Sequence, residues 1–113
     1  MAFAQQVAKR VQETQISVIG SAWTLLEGST ALTNRTALKV FNVGTGGATR
    51  LVLRYMNADG TAPTGFNVKQ GSHYLGAGQW LVEPISTGLK LYGRAKLASG
   101  VNSIRVFVTE YGE

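Results

Sequence analysis

The sequence ALTNRTALKVFNVGTGGATRLVLRYM, residues 31–56, decides the fold class. Apolar residues alternate with others in two runs, 38–43 and 50–55, and this period of two is typical of β-strands, whose successive side chains point to opposite faces. Between the runs, the glycines of residues 44–47 can supply the positive φ angles that a hairpin loop needs. The stretch therefore predicts one β-hairpin, to which the rest of the chain adds further strands.

The same alternation recurs at residues 89–94 and 104–109, and turn signals separate these runs. About seven or eight short strands with a turn every 8–12 residues or so indicate an all-β fold, either an antiparallel β-sandwich or a jelly-roll-like barrel. Nine apolar side chains of these runs are expected to face the core: Leu38, Val40, Leu51, Leu53, Leu89, Leu91, Ile104, Val106 and Val108.

Residues 1–15 differ from the rest because they contain neither glycine nor proline. Phe3, Val7 and Val11 recur at helical spacing, which predicts an arm or a short amphipathic helix that docks on a partner. The simpler alternative is a helix or strand that packs on the chain's own domain, and a strand over residues 7–11 is a further alternative. The 113 residues then divide into this segment and one β-domain, residues 16–113.

The composition excludes several classes of function. The chain has no cysteine, so neither a disulfide framework nor a thiolate metal site is expected. His73 is the single histidine, and the six carboxylates are dispersed, so we expect no enzyme, metal or cofactor. No apolar run approaches the roughly 18 residues of a membrane span, and no signal peptide is recognisable.

Eleven basic residues against six acidic ones give a net charge of +5, which favours an acidic partner. Candidate partner-binding residues on the polar faces of the strands are Arg50, Arg54, Lys90, Tyr92, Arg94 and Arg105, with Lys39 and Lys96 as possible additions. Basic residues interleaved with aromatic ones occur on nucleic-acid-binding barrels and in protein interfaces. The simplest alternative is a solvated face whose charges prevent strand aggregation.

The motif Leu32-Thr33-Asn34-Arg35, followed by Leu38, Val40, Asn42 and Gly44, resembles a segment that opens the β-sandwich of small virion proteins of tailed bacteriophages. Residues 68–72 (VKQGS) and a closing strand with Val106, Val108 and Glu110 extend the similarity in the same order. The resemblance covers roughly residues 32–111. It implies a structural role in the virion, such as a capsid cement (decoration) protein, a head fibre base or a tail or neck component.

We therefore expect a non-enzymatic capsid cement protein that is made in the host cytoplasm and located in the virion. Its partner would be the major capsid protein or another virion protein. A homo-oligomer is expected, with a trimer favoured, and no membrane is involved. The alternatives are a barrel that binds single-stranded nucleic acid and a carbohydrate-binding or structural module of a phage tail or neck.

Overall fold

The computed structural model of the chain describes residues 9–43, 50–64, 73–96 and 102–113. Those residues contain eight β-strands and no helix. The strands are β1 (Arg10–Ile19), β2 (Thr24–Leu25), β3 (Arg35–Asn42), β4 (Arg50–Tyr55), β5 (His73–Gly76), β6 (Trp80–Glu83), β7 (Leu91–Lys96) and β8 (Ser103–Gly112).

The strands form two antiparallel sheets of four. The first sheet has the order β1-β8-β3-β6 and the second the order β2-β7-β4-β5. The pairs β1–β8, β2–β7, β3–β6 and β4–β5 are nested, so the first half of the chain folds back antiparallel on the second half. This is the arrangement of a double-sheet jelly roll, and it confirms the predicted all-β, antiparallel fold class.

The predicted hairpin of residues 31–56 is wrong. Its two arms do form strands, but β3 pairs with β8 and β6, whereas β4 pairs with β7 and β5. The chain crosses from the first sheet to the second between these strands, and residues 44–49 lie outside the described part. Alternation specifies which face of a strand is apolar, but it does not specify the neighbouring strand.

The N-terminal prediction needs a partial correction. Residues 10–15 are not helical, because β1 begins at Arg10 and pairs with β8 without interruption as far as Ile19. The strand therefore passes through the predicted boundary between residues 15 and 16. The strand alternative is right for Arg10 and Val11, while Phe3, Val7 and the other residues of 1–8 lie outside the described part. A helix this short is only marginally stable on its own, so pairing with the ten residues of β8 stabilises the extended conformation more.

The core lies between the two sheets and matches the predicted face of each strand. Eight of the nine predicted core residues are buried, and Leu89 is partly buried against them. The core cluster also contains Val18, Leu26, Leu75 and Ile85. The inward faces of four separate strands therefore follow from the period of two.

Two residues between the sheets, one polar and one small, differ from the apolar side chains of the core around them. Asn42 is fully buried, and its Nδ2 donates a hydrogen bond of 2.8 Å to the carbonyl of Leu75 in the opposite sheet. At Gly93, a Cβ atom would lie 3.0 Å from Leu51 Cδ1 and 3.2 Å from the methyl groups of Leu26. A residue with a side chain at position 93 would therefore require these leucine methyl groups to shift by a few tenths of an ångström.

Candidate interaction surfaces

The outer side of the second sheet brings together four of the six residues that were predicted to bind a partner from the polar faces of strands. The register places Arg50 opposite Lys96 and Arg54 opposite Tyr92, while Arg94 lies opposite Val52. The intervening residues of β4 and β7 face the core, so the named side chains share the outward face. We call this surface the basic face and define it by Arg50, Arg54, Tyr92, Arg94 and Lys96.

The charge of the basic face is one-sided. The four strands of the second sheet carry four lysines or arginines and no carboxylate. The four strands of the first sheet also carry four, but against three glutamates. A surface lined by one sign of charge attracts ligands of the opposite sign and accelerates their association.

The members of the basic face differ in how they are held. Arg94 is half-buried, and its Nε donates a hydrogen bond of 2.8 Å to the carbonyl of Gly20, in the connection between β1 and β2. Arg54 is also half-buried and interacts within the chain. Arg50 and Lys96 are exposed. The two exposed cations, opposite each other in the register, are therefore the best placed to meet a partner.

Arg105 lies apart from the basic face. It is exposed on β8, opposite Ser17 of β1, and therefore on the outer side of the first sheet. The structure thus divides the predicted basic residues between the two sheets. Lys39, considered as an addition, is on the first sheet as well.

A surface that the sequence reasoning did not predict covers part of the first sheet. Trp80 of β6 lies opposite Phe41 of β3, which lies opposite Phe107 of β8, so three aromatic residues form one row across the sheet. Trp80 is 59% exposed, and the Nζ of Lys39 lies 4.9 Å from its ring centroid, within the range of a cation–π interaction. We call this row the aromatic row. The sequence does indicate that these residues are exposed to the outside of the sheet, because the period of two that identifies the core places all three at outward positions.

Lys90, predicted to bind a partner, belongs to an ion pair inside the molecule. Its Nζ lies 2.9 and 3.1 Å from the two carboxylate oxygens of Glu27. Glu27 in turn lies 3.5 Å from Nη1 of Arg35, which is bound to Glu110 at 3.1 Å. We call these four residues the buried charge network, although Lys90 is only partly covered.

Glu110 is the centre of this network and is fully buried. Its Oε1 accepts hydrogen bonds of 2.9 Å from Gln12 Nε2 and from the amide of Gly28. Its Oε2 accepts from the amide of Leu32 at 3.0 Å and from Arg35 Nη1 at 3.1 Å. Burial raises the pKa of Glu110, but these four hydrogen bonds outweigh it and hold the pKa below its ordinary value.

Arg35 connects the network to a second loop. Its Nη2 donates hydrogen bonds of 2.9 Å to the carbonyls of Ser86 and Leu89, between β6 and β7. Its own amide donates to Thr87 Oγ1, which donates in turn to the carbonyl of Leu32. The network therefore ties the loop before β3 to the loop before β7 across one end of the sandwich.

The geometry of the buried charge network indicates that it stabilises the fold. Both oxygens of Glu110 are used by donors from the chain, and its side chain does not reach solvent. No group of three or more histidine, aspartate or glutamate side chains that could hold a metal ion occurs among the described residues. His73, the single histidine of the chain, does not share a sheet with the buried Glu110. It begins β5 in the second sheet, whereas Glu110 is on β8 of the first sheet.

Comparison of the sequence with protein-family models, with curated proteins and with solved structures finds no match. Within the described part of the chain, no helix is long and apolar enough to cross a membrane.

Proposed function

We propose that the protein is a non-enzymatic structural protein of a bacteriophage virion, namely a capsid cement protein that bridges and stabilises major capsid subunits. The resemblance of residues 32–111 to small virion proteins suggests this role. The jelly-roll arrangement is compatible with it, since this architecture occurs in viral capsid domains as well as in lectins. Because one fold can serve many unrelated functions, the residues on the surface are better evidence for this role than the fold is.

The basic face is the single observation that carries the proposal. Arg50 and Lys96 are exposed and adjacent, and the sheet beneath them contributes no carboxylate. Such a surface binds an acidic area on a capsid subunit. In an oligomer of this protein several such contacts are linked, and linked weak contacts add up to strong overall binding.

The buried charge network supports a structural role in a second way. A protein that bridges subunits must keep its binding surfaces in a constant relative position. The hydrogen bonds of Arg35 and Glu110 hold two loops and two strands at one end of the sandwich, so the fold does not depend on the packing of the core alone.

The test measures binding to undecorated heads of the phage that encodes the protein. The double variant Arg50→Glu/Lys96→Glu reverses both exposed charges of the basic face and should reduce the occupancy of heads at least tenfold in co-sedimentation. Arg105→Glu is the matched control, since it reverses an exposed charge on the other sheet and should bind as the wild type does. Equal binding by all three proteins would contradict the proposal.

Single-stranded nucleic acid is the second candidate partner of the basic face. Tyr92 lies opposite Arg54, and Tyr74 of β5 is exposed next to Val52, so aromatic side chains accompany the positive charge on this sheet. Bases stack on aromatic side chains while basic residues bind the phosphates. Fluorescence anisotropy with a labelled single-stranded oligonucleotide at physiological salt distinguishes the two. Tight binding that both Arg50→Glu/Lys96→Glu and Tyr74→Ala abolish would favour nucleic acid.

A further inference from the structure

The free edge of β1 is a surface that the proposed function does not use. Backbone groups along a strand alternate in direction, and the amide of Val43 donates to the carbonyl of Arg105 at 3.1 Å. Odd-numbered residues of β8 therefore direct their backbone groups toward β3, and even-numbered ones direct theirs toward β1. In the register of β1 with β8, even-numbered residues pair with even-numbered residues, so the even-numbered residues of β1 direct their backbone N–H and C=O groups toward β8.

The odd-numbered residues of β1 consequently direct their N–H and C=O groups away from the sheet. They are Val11, Glu13, Gln15, Ser17 and Ile19. No described strand pairs with this edge. With ten residues, β1 is long for an edge strand, and natural proteins usually shorten or protect such edges because they pair readily with another chain.

The sequence of β1 is complementary to itself in one antiparallel register. Val11 and Ile19 are 61% and 42% exposed, and they lie at equal distances from Gln15 along the strand. If Gln15 faces its copy across a two-fold axis, Val11 of each chain faces Ile19 of the other. Glu13 then faces Ser17, so no like charges are opposed.

Shifting the register removes this match. A two-fold axis at Thr14 would place Val11 opposite Ser17 and Ile19 opposite Lys9. An axis at Glu13 would place two carboxylates directly opposite each other, which is destabilising. Only the axis at Gln15 pairs the two exposed apolar residues and also engages every outward-directed backbone group of the strand.

We propose that the protein forms a symmetric dimer through antiparallel pairing of β1 with β1 of a second copy, with Gln15 on the two-fold axis. The first sheets of the two copies then become one sheet of eight strands. A two-fold contact of this kind uses the same surface on both copies. It gives a dimer rather than the trimer favoured from the sequence, and it leaves the basic face of each copy free. The inference does not depend on capsid binding.

Single cysteines test the register, since the chain has no cysteine of its own. In the proposed dimer, the Cα atoms of a hydrogen-bonded pair at position 15 are about 5.5 Å apart, which a disulfide can span. Under mild oxidation, Gln15→Cys should form a covalent dimer at least tenfold faster than Ser17→Cys. Position 17 is the matched control, because its two copies would lie roughly 14 Å apart along the strands.

A mixture of two variants sharpens this test. Glu13→Cys and Ser17→Cys face each other in the proposed register, so the mixture should cross-link into mixed dimers faster than either variant cross-links with itself. Cross-linking of Gln15→Cys no faster than Ser17→Cys would overturn the proposal. So would preferential cross-linking at another position, because that would place the axis elsewhere.

A proline variant provides a readout without oxidation. Gln15→Pro removes an outward-directed N–H, and proline is tolerated on an edge strand where that N–H faces solvent. Light scattering over a concentration series should show the wild type approaching a dimer and Gln15→Pro remaining monomeric, with unchanged far-UV circular dichroism. A wild type that stays monomeric at high concentration, or forms a trimer, would contradict the inference. If Gln15→Pro does not fold, the cysteine variants decide.

Discussion

Arg35 and Arg50 begin two strands that follow each other along the chain, but their guanidinium groups lie in opposite surroundings. Arg35 is buried between two loops, where it contacts Glu110, Glu27 and backbone carbonyls. Arg50 is exposed on a sheet whose strands contain no carboxylate. The comparison shows that charges of the same kind serve the fold in one place and are left for a partner in the other.

The largest effect is expected at Glu110. Both oxygens of Glu110 accept hydrogen bonds, so the amide nitrogen introduced by Glu110→Gln would oppose two of the four donors. The substitution also removes the nearer of the two carboxylates that face the buried Arg35 guanidinium, and leaves it with Glu27 at 3.5 Å. Loss of one partner of a buried ion pair costs about 3–5 kcal/mol. Urea denaturation should show this loss for Glu110→Gln, and a loss below about 1 kcal/mol would mean that the network does not stabilise the fold.

Acid should weaken the same network. Because the pKa of Glu110 is lowered in the folded protein, the unfolded chain takes up the proton first as the pH falls. The stabilisation is therefore complete above the ordinary glutamate value of about 4.5, and it is lost as the pH falls through the lower folded value. The free energy of unfolding of the wild type should decrease over this range, and the decrease should be smaller in Glu110→Gln.

Asp59 provides the control for the acid experiment. Hydrogen bonds from the hydroxyl and amide of Thr61 lower its pKa as well, but Asp59 is exposed in the turn after β4. Asp59→Asn should therefore change the pH dependence of stability less than Glu110→Gln does. A larger change in Asp59→Asn would assign the acid sensitivity to the turn rather than to the buried charge network.

An intermediate effect is expected at the edge of the network. Lys90 is partly exposed and pairs with Glu27 at 2.9 Å, so water and salt screen the interaction. Exposed pairs contribute about 0.2–1 kcal/mol. Lys90→Met should lower the free energy of unfolding by this small amount in thermal or urea denaturation, and a loss as large as that of Glu110→Gln would show that Lys90 is essential to the network.

The smallest effect on stability is expected on the basic face. Arg50→Gln and Lys96→Gln change exposed side chains, and substitutions at such positions usually alter stability by less than about 0.5 kcal/mol. The same variants should nevertheless weaken binding to heads, and added salt should weaken the wild type in the same way. A large loss of stability in either variant would contradict this prediction, because it would show that an exposed cation of the basic face stabilises the fold as Arg35 does.

Much of the candidate surface follows from the sequence because side chains alternate along a strand. Arg50, Arg54, Tyr92 and Arg94 lie on the outward face of one sheet, as their positions between core residues predict. Arg105 also faces outward, but on the other sheet. The sequence predicts that each of these residues points away from the core. It does not predict which of them are neighbours.

The sequence by itself determined the all-β class and the inward face of each major strand, since both depend on a local property, the period of two along an extended backbone. Tertiary structure decided the strand partners, because pairing is made between segments far apart in the chain. It separated β3 from β4, joined residues 10–15 to β8, and buried Glu110 beneath Gln12, Gly28, Leu32 and Arg35. A glutamate near the end of a strand carries no local sign of such burial, because its partners come from three other segments of the chain.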